Sequence, residues 1–179
     1  MRVFIGVFVP KNIKNYVVGL QSDLDKLPMS CKMVEPNNLH MCLSFLGNIN
    51  SIDVEKMQYV LSKICETYSN FEIGVGNIKL IPNEKYIRVI VLEILDPSGT
   101  LKTICSNIKE KIGGSMKPPH LTLCRVRNVS DKEKVLAGIK GFETDDDLKF
   151  VVDAISLIKS ELTRSGPEYT VVHKAELLG

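Results

Sequence analysis

The chain has 179 residues, 44% of them hydrophobic and 25% charged, with a formal net charge of only +2. That is enough chain for one well-buried domain and short for two, and the composition argues against disorder. No run of basic residues stands out, so tight nonspecific binding to duplex nucleic acid is not implied; a small or single-stranded anionic ligand stays open. The five cysteines (Cys31, Cys42, Cys65, Cys105 and Cys124) lack CxxC spacing and do not read as a disulfide framework. Cys65 and Cys105 fall on the apolar faces of predicted helices, which suits reduced core thiols. No stretch approaches the length of a membrane span, and MRVFIGVFVP is too short for a signal segment with its flanks. The expectation is a soluble cytoplasmic protein.

Residues 2–9 (RVFIGVFV) are β-branched and aromatic on both faces, which predicts a buried central strand. Pro10 opens a helix with Ile13, Val17, Leu20, Leu24 and Leu27 at helical spacing. Pro28 and Pro36 bracket a connection. Residues 39–46 (LHMCLSFL) alternate: Leu39, Met41, Leu43 and Phe45 share one face of a strand, and His40, Cys42 and Ser44 the other, with Gly47 ending it. A helix over about 52–67 carries Met57, Val60, Leu61, Ile64 and Cys65. Strands follow near 71–80 and 86–95, divided by Pro82-Asn83. Asp96-Pro97 caps a helix with Leu101, Ile104, Cys105, Ile108 and Ile112, and Gly113-Gly114 stops it. Residues 119–126 (PHLTLCRV) form a second strand bearing a histidine. Ser130 and Glu133 predict a capping box for a helix to about Ile139. Strands near 148–158 and 168–173 close the chain. The order strand, helix, His-strand, helix, strand thus occurs twice without a linker between the copies, which suggests two similar lobes in one domain.

His40-Met41-Cys42-Leu43 and His120-Leu121-Thr122-Leu123 each place a polar residue two positions after the histidine, on the same strand face, with apolar anchors between. Two such strands facing each other would bring two imidazoles around one cavity. Imidazole titrates near 6.5, so one histidine can accept a proton from water while the other protonates a departing oxygen. Hydroxyls beside them can bond the non-bridging oxygens of a phosphodiester. A single histidine on a strand is ordinarily structural, and His173, which has no such company, is read that way.

These surroundings, LHMCLSFLG and KPPHLTLCRVR, resemble the paired HxTx motifs of the two-histidine (2H) phosphoesterases. The start (RVFIGVFVP) and the late SELTRSGPEYTVV resemble the RNA 2′,3′-cyclic phosphodiesterase branch, also called 2′-5′ RNA ligases, so the resemblance covers nearly the whole chain. It implies an α+β fold, bilobal and pseudo-symmetric, with two lobes of antiparallel sheet, helices outside and a central cleft, residues 1–179 forming one domain. It implies hydrolysis of RNA 2′,3′-cyclic phosphate ends to 2′-phosphomonoesters, with reversible 2′-5′ joining of RNA ends. His40 would be the proton donor and His120 the proton acceptor, with neither metal nor cofactor. Its partners would be RNA ends or nucleotides bearing a 2′,3′-cyclic phosphate; no membrane and no obligatory protein partner are expected, and the chain would be a monomer.

Thr122 and Cys42 are then the phosphate-binding candidates. Cys42 departs from the motif's threonine, and a thiol is a weak donor that would repel phosphate if ionised. Ser44, on the same face by alternation, and Arg125 are candidate substrate contacts. Simple alternation puts Arg125 opposite His120, so a ligand contact there needs a twist or bulge. Arg88, Lys117 and Arg127 read as solvated charges. Two rivals stand beside this reading: a zinc set of His40, Cys42, His120 and Cys124, whose spacing is unlike common zinc modules, and a noncatalytic nucleotide- or RNA-binding module on the same fold, which Cys42 keeps alive.

Overall fold

The computed structural model describes residues 1–142, 145 and 147–179. β1 (Arg2–Phe8) buries Val3, Ile5 and Val7, and α1 (Lys11–Leu24) buries Ile13, Val17, Leu20, Gln21 and Leu24. Each aliphatic side chain so removed from water contributes roughly 1.5–3 kcal/mol. β2 (Met29–Met33) and a 3₁₀ turn (Pro36–Asn38) lead into β3 (His40–Asn48). α2 (Ser51–Cys65) starts at Asn50, whose side chain accepts the Asp53 N–H. β4 (Phe71–Asn83) and β5 (Tyr86–Leu95) form a hairpin, followed by α3 (Thr100–Lys111) and β6 (His120–Val129). α4 (Lys132–Lys140), β7 (Lys149–Val152), β8 (Ala154–Leu162) and β9 (Pro167–Glu176) complete the chain.

Among the described residues the strands form one antiparallel sheet in the order β7-β4-β5-β6-β3-β1-β8-β9, with β2 paired to β6 off this path. The two histidine strands are neighbours in its middle, yet they join only at Met41↔Leu121. Outward from that joint the halves match: β1, β8 and β9 lie beyond β3, and β5, β4 and β7 beyond β6. The helices exchange halves. α1 follows β1 but packs on β6, and α3 follows β5 but packs on β3, while α2 lies on β8 and β9. Each half is therefore closed by a helix from the other, and this ties the two histidine strands together where their own pairing is weakest. Among the described residues no helix is long and apolar enough to cross a membrane.

Several elements differ from the sequence expectation. The connection after Pro28 contains β2, whose Met29, Cys31 and Met33 are half-buried against β6. α1 ends at Leu24, leaving Leu27 beyond the helix but still against the core. β3 runs on past Gly47 to Asn48. The run 148–158 divides at Asp153, because β7 pairs with β4 and β8 with β1 at distant places in the sheet. Asp131, not Ser130, caps α4 by accepting the Lys134 N–H; the Ser130 hydroxyl donates to the Pro28 carbonyl. Asp96 does serve α3, from a turn upstream: its carboxylate accepts the Lys102 N–H at 3.0 Å.

Candidate active site

Two β-bulges at matching places decide which side chains surround the histidines. Along β1 the pairing runs Phe8↔His40, Gly6↔Cys42, Ile5↔Ser44 and Phe4↔Phe45. β1 alternates without interruption, so Leu43 is an extra residue of β3, as Leu46 is further along; His40, Cys42 and Phe45 share one face and Ser44 the other. Along β5 it runs Glu93↔His120, Val91↔Thr122, Ile90↔Cys124 and Val89↔Arg125. Leu123 is the extra residue of β6, and His120, Thr122 and Arg125 share the face. Burial agrees: Leu43, Ser44, Leu123 and Cys124 are at most 1% exposed, whereas His40, Cys42, His120 and Thr122 are half-buried and Arg125 is exposed.

Each bulge is fastened from outside its strand. Gln21, buried on α1, donates through Nε2 to the carbonyls of Leu123 at 2.9 Å and Val34 at 2.8 Å. Leaving such a buried amide unpaired would cost about 1–3 kcal/mol. On β3, the Ser44 hydroxyl donates to the Gly113 carbonyl at 2.8 Å, and the Phe45 and Ser115 main chains exchange bonds of 2.9 and 2.8 Å.

The two imidazoles are oriented by the same device. His40 Nδ1 lies 2.7 Å from the Asn38 carbonyl, and His120 Nδ1 lies 2.8 Å from the Pro118 carbonyl, two residues upstream in both cases. A carbonyl only accepts, so each Nδ1 carries the proton and each Nε2 is left for acid–base work. Burial holds His40 below the ordinary imidazole range; the Asn38 carbonyl opposes this, and the charges of His120 and Arg125 add to it. The two histidines and Arg125 therefore lie within electrostatic reach of one another. Antiparallel pairing about Met41↔Leu121 sets His40 toward Thr122 and His120 toward Cys42.

The two sides of the pair are lined differently. The His40 ring has Phe4 at 4.8 Å, Tyr169 at 5.1 Å and Phe8 at 6.2 Å between centroids. The strand neighbour of His120 is Glu93, whose Oε1 accepts the Asn77 N–H at 3.0 Å. Burial pushes the Cys42 thiol up to about 11, with Lys117 opposing, so the thiol is neutral at pH 7 and can donate its proton to a phosphate oxygen. Replacing this weak donor with a hydroxyl is worth about 0.5–1.5 kcal/mol. Cys42→Thr is therefore expected to raise kcat on a cyclic phosphate by about threefold to tenfold. A tenfold fall in steady-state rate would show that the position has another role.

Of the candidates read from sequence, the structure brings His40, Cys42, His120, Thr122 and Arg125 to one face. The bulge at Leu123 is the irregularity that Arg125 required. Ser44 is not brought there: the Leu43 bulge turns it into the core, its proton committed to Gly113, and the substrate contact expected of it is withdrawn. Cys124 likewise faces the core, fully buried, so the four-residue zinc set does not assemble among the described residues. His173 bonds Ser62 of α2 at 2.8 Å, and Arg88 stacks on Tyr86 at 4.7 Å, both as structural residues. Sequence reading missed Phe4, Phe8 and Arg2, although period two along RVFIGVF already put them on one face. It also missed Phe45, whose face the bulge reverses, and Tyr169, which only the β8–β9 pairing carries to His40.

Residues 7–91 match the family model described as LigT like phosphoesterase. A protein of Methanocaldococcus jannaschii named RNA 2′,3′-cyclic phosphodiesterase is 33% identical over 96% of this chain and 98% of its own length. A protein of the same name from Methanothermobacter thermautotrophicus is 29% identical over 95% of each. In fold, a crystal structure of a Thermus thermophilus protein superposes with a TM-score of 0.78 at 23% identity, over 100% of this chain and 99% of that one. Escherichia coli LigT complexed with 3′-AMP gives 0.77 at 18% identity, over 99% and 98%. Full-length likeness in sequence to these enzymes, on a fold that sets two matched histidine strands side by side, makes the chain a member of the LigT-like phosphoesterases of the 2H superfamily.

Proposed function

We propose that the protein hydrolyses RNA 2′,3′-cyclic phosphate ends to 2′-phosphomonoesters by acid–base catalysis between His120 and His40. The observation that carries this is the twin Nδ1–H···O=C bond, which leaves two Nε2 atoms on one face of adjoining strands. Water attacks phosphorus in line with the 3′-oxygen and gives its proton to His120. The P–O3′ bond breaks, and His40 protonates the departing oxygen. Thr122, the neutral Cys42 thiol and Arg125 hold the equatorial oxygens, where the transition-state charge rests. A 5′-hydroxyl in place of that water would join two RNA ends through a 2′-5′ bond by the same proton transfers. The full-length relatives named RNA 2′,3′-cyclic phosphodiesterase support this reading.

The test is product analysis on an oligonucleotide with a 2′,3′-cyclic phosphate end, run across pH. As donor, His40 must be protonated, and burial lowers its pKa. The falling limb of kcat/KM is therefore expected below the usual imidazole value of about 6.5. A bound phosphate anion favours the imidazolium, so the corresponding limb of kcat lies at higher pH. Were His40 the acceptor instead, the same group would produce a rise with pH that is complete before neutrality. A rate flat from about pH 5 to 8 would remove the acid–base pair. Binding without turnover, unchanged in the histidine variants, would favour the noncatalytic module.

A further inference from the structure

We propose that Arg2 binds the phosphate one nucleotide upstream of the cyclic end, so that the protein prefers an RNA strand to a mononucleotide. This deepens the function proposed above and rests on it.

Phe45 follows the Leu43 bulge as Arg125 follows the Leu123 bulge, so the two occupy corresponding places at opposite ends of the histidine pair. One end has a guanidinium of its own. The other has a phenyl ring, 37% exposed, and a guanidinium is supplied there from β1: Arg2 Cζ lies 5.0 Å from the Phe45 ring centroid. Arg2 shares the face of Phe4, which packs on His40. It is exposed, and among the described residues no carboxylate pairs with it. A guanidinium stacked on a ring keeps its N–H edge free, in the fork that a phosphate accepts bidentately.

The two arginines differ in what they reach. Arg125 shares the β6 face of His120 and Thr122, and its charge bears on His40, so it is the arginine suited to the reacting phosphate. Arg2 is held on Phe45, three strand steps from the Met41 joint once the bulged Leu43 is discounted, or roughly 10 Å at about 3.3 Å per step. The Tyr169 hydroxyl feels both guanidinium charges, and its ring packs edge-on against His40 and Phe4 at 5.1 Å. An anion centred on the histidines is thus served by Arg125, and a second anion on the same chain, one residue further, meets Arg2. A mononucleotide 2′,3′-cyclic phosphate has only the first.

The experiment compares a nucleoside 2′,3′-cyclic phosphate with a dinucleotide ending in the same group, for wild type, Arg2→Gln and Arg2→Lys. For the dinucleotide, Arg2→Gln is expected to raise KM about tenfold with little change in kcat, and Arg2→Lys to restore part of the loss. For the mononucleotide the expected change is under about twofold. The slope of log kcat/KM against log salt for the dinucleotide should flatten by about 0.7 in Arg2→Gln, one phosphate contact on a single strand. An equal loss on both substrates would mean that Arg2 acts on the reacting phosphate or only steadies Phe45, and would overturn the proposal. So would an unchanged dinucleotide KM. Either result leaves wild-type hydrolysis intact, whereas a wild type inert on both substrates would sink the hydrolase reading and this proposal with it.

Discussion

His120→Ala is expected to lower kcat on a cyclic-phosphate oligonucleotide by about 10²–10⁴-fold, the usual contribution of one positioned acid–base group. His40→Ala is expected to fall in the same range. Without His120, neither of its described neighbours can readily take a proton from water: the Cys42 thiol is neutral at pH 7, and the strand neighbour Glu93 is turned to the Asn77 N–H and the Lys79 ammonium. Without His40, the 3′-oxygen departs as an alkoxide on the side lined by the rings of Phe4, Phe8 and Tyr169. Because both imidazoles act in one displacement, the double variant should be hardly slower than the worse single one. Thr122 and Arg125 remain in both, so a 2′-phosphomonoester product should still bind, more weakly in His40→Ala, which loses the imidazolium that a phosphate favours. Single-turnover rates and product binding check this together. A His120→Ala enzyme that keeps a tenth of the wild-type rate would end the two-histidine scheme.

How much of this was legible in the chain depends on how local its cause is. The alternation of His40, Met41, Cys42 and Leu43, and of His120, Leu121, Thr122 and Leu123, is a property of four consecutive residues, and it predicted the faces correctly. It failed one residue later. Ser44 and Phe45 exchange faces because Leu43 bulges, and the partners at that bulge are Gly113 and Ser115, on a segment distant in sequence. Arg125 reaches the site for the same kind of reason, through Leu123 and Gln21. Gln21 did leave a trace, as a polar residue on the helical stripe of Val17, Leu20 and Leu24, where an amide has to find partners in the core. β2 did leave a signal, since Met29, Cys31 and Met33 alternate with Ser30 and Lys32, but five residues between two prolines make only a short strand, and among the described residues its strand partner is β6 alone. The division at Asp153 had a weak local signal, a carboxylate inside the otherwise mostly apolar run 148–158, but only the sheet order shows that β7 and β8 part there.

Gly114→Ala tests whether the crossing of α3 into β6 holds the two histidine strands in register, and it is expected to be among the most damaging single substitutions outside the core. Gly114 has φ +95°, where an L-residue costs about 1–2 kcal/mol. A Cβ there would also meet the Phe45 carbonyl at 2.9 Å, the Leu46 side chain at 2.8 Å and the Ser44 hydroxyl. Two of these are the groups that fix the Leu43 bulge, and they cannot yield without releasing it. Overpacking of this kind adds about 1–3 kcal/mol, and at roughly 2–4 °C per kcal/mol for a chain of this size the midpoint of thermal unfolding should drop by about 5–15 °C. Gly113→Ala supplies the control. It has φ +94° and nothing within 4 Å of its Cβ, so it carries the backbone strain alone and should lose only about a third as much. The pair also separates stability from catalysis. In the fraction that stays folded, Gly114→Ala should lower kcat on the cyclic phosphate, because the segment it displaces runs through Ser115 and Pro118 to the carbonyl that orients His120. Equal midpoints for the two variants would mean that the crossing accommodates a methyl group and does not set the register.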